Sequence, residues 1–175
     1  ATLELGDSTT ARERATEALG LFEQLAAADP AVAEYQEGLA KACDQLIEVY
    51  EARWEDDAKQ AAAVRSHAVR RALAERDPAD LTFQAGLAKS EAGLGIARND
   101  LDDGRAALPH LLSALARRER VFAARPDDPA ARLGLATSHR LLAYTYDNRH
   151  LSDPFGVGGY PSLAARHGAE ARRLL

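Results

Sequence analysis

An interval of 48 residues constrains this chain more than any other feature. Pro30, Pro78 and Pro126 stand at that spacing. Gly38-Leu39-Ala40-Lys41 returns as Gly86-Leu87-Ala88-Lys89 and, shortened, as Gly134-Leu135-Ala136. Leu46, Leu94 and Leu142 hold one phase of the same interval, and Leu25, Leu73 and Val121 another. Several matched columns at one fixed distance define an internal repeat, and a repeat of this length implies a stacked array of supersecondary units.

Within the repeat, apolar residues recur every three or four positions, the period of a helix with one buried face. Helices are expected over about 9–28, 32–53, 58–76, 79–99, 105–124 and 130–148, with a short seventh from Pro161. The first should bury Ala11, Ala15, Ala18, Leu21, Phe22 and Leu25, and the third Ala61, Ala62, Ala68, Val69, Ala72 and Leu73. The fifth should bury Leu108, Leu111, Leu112, Leu115 and Val121. Asp29-Pro30 and Asp77-Pro78 are stops, because a residue before proline is pushed out of the α region. Residues 1–5 read as the last turn of an earlier helix, closed by a Gly6-Asp7-Ser8 turn. Gly38, Gly86 and Gly134 share a phase that suggests close packing, whereas Gly93 and Gly95 suggest local mobility. Residues 151–160 break the rhythm with glycines and a longer connection, and are expected to be the least ordered interior segment. Phe155 and Tyr160 there offer a partner contact.

The reading is all-α, one domain over 1–175: a partial repeat 1–29, repeats 30–77 and 78–125, and a third, 126–175, carrying the insert 151–160. Six per cent aromatics suit helices packed through small side chains. The absence of methionine and the ending at Leu174-Leu175 suggest a piece of a longer protein.

Candidate chemistry is sparse. No apolar run is long enough to span a bilayer, and Ala1-Thr2-Leu3-Glu4 has no leader character, so no membrane association is expected. Cys43 alone cannot form an internal disulfide, and it falls beside an apolar stripe as small filler; a cytoplasmic setting follows. His67, His110, His139, His150 and His167 form no recognised ligand pair, and no metal is expected. Gly156-Val157-Gly158-Gly159 follows a helix and lacks the lysine of a phosphate loop. GxSxG, HExxH and CxxC do not occur. An enzyme is therefore not expected, nor a cofactor. Arginines cluster on the third and fifth helices, but a net charge of −5 and the lack of interleaved aromatics speak against nucleic acid.

The Leu-Ala pairs Leu39-Ala40, Leu87-Ala88 and Leu135-Ala136, the small residues Ala18, Ser66 and Ala114, and the closing prolines resemble the tetratricopeptide repeat. That family's unit has about 34 residues, and two added turns in each helix would absorb the difference, since seven residues approximate two turns. The chain looks like the long-helix variety of large bacterial multidomain proteins. The resemblance implies a right-handed α-solenoid of about seven helices in antiparallel pairs, with first helices lining a concave side. It also implies a non-catalytic protein- or peptide-binding module.

Charge refines that expectation. Segment 30–57 sets eight acids against Lys41 and Arg53, whereas 58–78 and 104–126 are net basic. Acidic first helices suggest a cationic peptide segment as ligand, with part of the charge neutralised by internal pairing. The candidate partner-binding residues are Glu37, Lys41, Asp44, Gln45, Glu48, Lys89, Arg140 and Tyr144. A structural spacer, a self-association surface, or the sensor arm of a signalling enzyme are the rival readings.

Overall fold

A computed structural model describes residues 2–147 and 160–175, with side chains from residue 9 onward. It is all-α. The described elements are α1 (Thr2–Ala28), α2 (Ala33–Ala52), α3 (Asp56–Arg76), α4 (Leu81–Asp100), α5 (Gly104–Ala124), α6 (Pro129–Asp147) and α7 (Pro161–Leu174). Described helix ends fall close to the positions read from the proline stops and the periodicity. The exception is α1, which continues through Gly6, Asp7 and Ser8 where a turn was expected. An interior glycine costs only about 1 kcal/mol relative to alanine, too little to end a helix where no proline follows.

The backbone obeys the 48-residue interval closely. α2, α4 and α6 start at Ala33, Leu81 and Pro129, and α3 and α5 at Asp56 and Gly104. The α2–α3 and α4–α5 turns are hydrogen-bonded alike: Glu55 N donates to Tyr50 O at 3.0 Å, and Asp103 N to Arg98 O at 3.0 Å. Each turn passes one residue through the left-handed region, Trp54 at φ 58° and Asp102 at φ 57°.

The chain divides into two compact units, Ala1–Asp77 and Pro78–Leu175. In the first, α2 packs between α1 and α3. Its core joins Ala15, Leu46 and Ala62, flanked by Leu19, Ile47 and Tyr50. The Phe22 ring occupies the place a Cβ would take at Gly38, which explains the glycine. Because Leu19, Phe22 and Ala26 turn inward with Ala15, Leu21, Leu25 and Ala11 are exposed, contrary to expectation. Both stripes have helical spacing, and the fit of Phe22 over Gly38 selects between them. On α3, Ala61, Ala68 and Ala72 are likewise exposed, and Ser66 and Arg70 point inward in their place.

In the second unit consecutive helices pack, and α4 also meets α6. Leu111, Leu115, Leu135, Leu142 and Leu174 form the core. Gly95 was expected to loosen α4, yet a Cβ there would come within 2.5 Å of Leu111 Cδ2, so it is a close-packing position. Leu112, expected inside, is exposed. Leu39, Leu87 and Leu135 are all buried, as the repeat required. The expectations for 151–159, including Phe155 and the glycine loop, and for His150 lie outside the described residues.

Candidate interaction face and buried polar clusters

Within each hairpin an arginine of the second helix pairs with a carboxylate of the first, which neutralises part of the charge pattern. Arg70, 2% exposed, meets Asp44 through two hydrogen bonds, Nη1–Oδ1 at 3.0 Å and Nη2–Oδ2 at 2.9 Å. Glu37 lies 3.4 Å from Nη2, and Ser66 Oγ donates to Asp44 Oδ1 at 2.8 Å. Burial alone would lower the Arg70 pKa, but the hydrogen bonds and charge of Asp44, with Glu37, carry it above the ordinary value.

The second unit contains the same constellation. Arg117 Nε donates to Glu91 Oε2 at 3.0 Å, Arg117 Nη1 to Gln84 Oε1 at 2.6 Å, and Ser113 Oγ to Glu91 Oε1 at 2.8 Å. Its sequence separations of 22, 26 and 33 match those of Ser66, Arg70 and their partners. Glu37, Asp44, Ser66 and Arg70 thus recur as Gln84, Glu91, Ser113 and Arg117 at an interval of 47, one short of the backbone's 48. Moving both partners one residue earlier carries them in opposite directions along antiparallel helices, an axial offset of about 3 Å. Glutamate in place of aspartate supplies part of that reach. Arg118, in the 48-residue phase of Arg70, turns instead to α6, where Nη1 donates to Gly134 O and Ser138 Oγ, both at 2.9 Å. Burial lowers its pKa, against the charge of Glu91.

Of the eight candidate partner-binding residues, Glu37 and Asp44 are therefore engaged with Arg70. Lys41, Gln45 and Glu48 are exposed on α2, and Lys89 on α4. Arg140 and Tyr144 are exposed on α6, Tyr144 at 61%. The structure adds Leu133, 58% exposed. Leu133, Thr137, Arg140 and Tyr144 follow the 4–3–4 spacing of one helix face, and they are the 48-residue equivalents, two repeats on, of Glu37, Lys41, Asp44 and Glu48. That phase was the signal by which Leu133 could have been found. Arg140 and Tyr144 also border an open groove of about 530 Å³ between α6 and α7, floored by Ala143, Ala164 and Gly168.

A second site was missed. His139 of α6 and His167 of α7 place their Nδ1 atoms 2.8 Å apart, one donating and the other accepting. The Tyr146 ring stacks on His167 at 5.7 Å and meets Tyr160 edge-on. The pair borders a cavity of about 410 Å³ with Glu119, Arg166, Glu170 and Arg173. Burial lowers the pKa of both imidazoles, and for His167 the neighbouring His139 adds to the effect. Spacing within the sequence gave no access to this pair, because the sequence between the two helices departs from the repeat in length and composition.

Among the described residues no group of three or more His, Cys, Asp or Glu side chains is arranged to hold a metal ion. Cys43 is fully buried, and burial raises its thiol pKa, which suppresses the nucleophilic thiolate. No described helix is long and apolar enough to cross a membrane. No protein-family model, curated protein or solved structure matches the chain.

Proposed function

We propose that this chain is a non-catalytic protein- or peptide-binding module of a larger cytoplasmic protein, a tetratricopeptide-like scaffold that offers faces of its first helices to a partner. The observation that carries the reading is the α6 stripe, where Leu133, Arg140 and Tyr144 are exposed on one helix face and the last two border an open groove. Tyrosine and arginine are the residue types that dominate interface energetics, and a helix presents them at low ordering cost. A cationic segment suits the α2 face, where Glu48 is exposed; Asp44 contributes less because Arg70 holds it.

The test is selection of binding peptides from a display library against the intact chain. Tyr144→Ala and Arg140→Ala should each weaken binding roughly tenfold or more. Selected peptides that tolerate both substitutions together with Leu133→Ala would remove the α6 face from consideration. Self-association is the second reading, favoured by Trp54, which stands 86% exposed at the α2–α3 turn. Concentration-dependent sedimentation abolished by Trp54→Ala would support it.

A further inference from the structure

We propose that the His139–His167 pair is a pH-sensitive latch, holding α7 against α6 near neutral pH and releasing it when both rings are protonated. The inference goes beyond the binding role and does not depend on it.

The geometry allows one proton, not two, between the facing nitrogens. At 2.8 Å, one Nδ1 donates and the other must keep its lone pair. A neutral pair satisfies this with opposite tautomers. A singly protonated pair keeps one donor and one acceptor as well, but partial burial disfavours its charge. A second proton converts the acceptor into a donor, so two N–H groups and two positive charges face each other across a distance fit for one hydrogen bond. Protonation therefore proceeds in two macroscopic steps that belong to the pair: burial opposes the first, and the lost hydrogen bond and facing charges oppose the second more strongly.

Surrounding charge does not absorb that second proton. α5 contributes Glu119, and α7 contributes Arg166, Glu170 and Arg173. The two carboxylates favour protonation and the two guanidiniums oppose it. Glu170 is moreover bound to Arg173, Nε to Oε2 at 2.9 Å. From α6, the Tyr146 ring stacks on His167.

The position of the pair makes it a lever on α7. Among the described residues α6 is the helix against which the α7 backbone packs. Otherwise α7 adds Leu174 to the core formed with Leu115 and Leu135, and buries Ala171. Releasing it would uncover those leucines, changing what the C-terminal end of the chain displays to a partner. The direction with pH follows from the depressed imidazole pKa values. An undocked helix takes up protons near the ordinary histidine value of about 6.5 while the docked one resists them. The latch is thus at full strength above about 6.5 and weakens as pH falls below that value toward the lowered pKa of the docked pair.

Hydrogen exchange of the intact chain, corrected for intrinsic rates, should show α7 amide protection falling roughly tenfold between about pH 7.5 and about pH 5. Helices α4 and α5 should change little. His139→Gln and His167→Gln replace a titrating ring by an amide that can still hydrogen-bond, and each should flatten the α7 response; Glu170→Gln should leave it in place. Should either glutamine variant lose α7 protection at all pH values, histidine ¹⁵N chemical shifts of the unmodified chain decide instead, with two separated steps expected below about 6.5. Independent titration of both rings near their ordinary value would overturn the latch. A pH response of α7 that survives in both glutamine variants would do the same.

Discussion

The α2–α3 and α4–α5 hairpins share a backbone and differ in how they satisfy it. Both pair a 20-residue helix with a 21-residue one, and both turn through the same left-handed position. In the first, Asp44 and Arg70 form the buried polar cluster; in the second, the cluster is shifted by one residue to Glu91 and Arg117. Helix caps differ as well. Asp80 and Asp103 accept backbone N–H groups at the starts of α4 and α5, whereas their equivalents Val32 and Glu55 make no side-chain cap. Apolar spacing and turn geometry hold the repeat, and within that frame each hairpin pairs its charges in its own way.

The sharpest way to separate the two hairpins is to remove the acid from each. Asp44→Ala leaves Arg70 buried, with Glu37 at 3.4 Å and Nε already lacking a partner among the described residues. Stripping a buried charge of its partner costs about 3–5 kcal/mol. Glu91→Ala should cost less, about 1–3 kcal/mol, the range for leaving a polar group unsatisfied, because the Arg117 side chain is 24% exposed and can turn to water. Denaturant melts of the two variants measure the difference. Equal losses would mean that the one-residue shift carries no energetic consequence.

The caps provide a smaller contrast. Asp80 Oδ1 accepts from Thr82 N at 2.6 Å and from Phe83 N at 3.4 Å. These backbone hydrogen bonds hold its carboxyl below the usual range, with lesser help from the charge of Arg125. Asp80→Ala should lower stability modestly, and Val32→Asp should raise it by giving α2 the cap it lacks. Thermal denaturation checks both. A neutral Val32→Asp would show that the chain entering α2 cannot place a side chain over the first turn.

Much of the fold was legible because it rests on features that sequence carries directly. Proline stops and matched leucines located the helices, and the 48-residue interval placed Leu39, Leu87 and Leu135 inside. The inward face of α1 was not legible, because Leu19 and Leu21 are equally apolar and only the Phe22–Gly38 fit distinguishes them. The α3 face was misread for a related reason: apolar spacing does not mark an arginine as inward, and Asp44 on the preceding helix makes the burial of Arg70 tolerable. The same pair withdrew two residues from the expected binding set. The histidine latch was out of reach because it joins two helices whose connection departs from the repeat.

The two left-handed turn residues provide the finest comparison. Trp54 and Asp102 adopt nearly the same positive φ, but they tolerate it differently. Aspartate visits that region comparatively readily, whereas for a bulky side chain it is a genuine outlier, with a left-handed penalty of about 1–2 kcal/mol. Glycine removes the penalty at both sites, while its freer unfolded chain takes back roughly 0.5–1 kcal/mol. Trp54→Gly should therefore stabilise the first hairpin by up to about 1 kcal/mol, since the exposed indole offers little packing to lose. Asp102→Gly should be close to neutral or slightly destabilising. Paired chemical melts of the two variants measure the contrast. A clear loss of stability in Trp54→Gly would mean that the indole contributes to the folded chain despite its exposure, most simply by covering a second copy, and sedimentation of that variant at the melt concentration would then show fewer associated molecules than the unmodified protein.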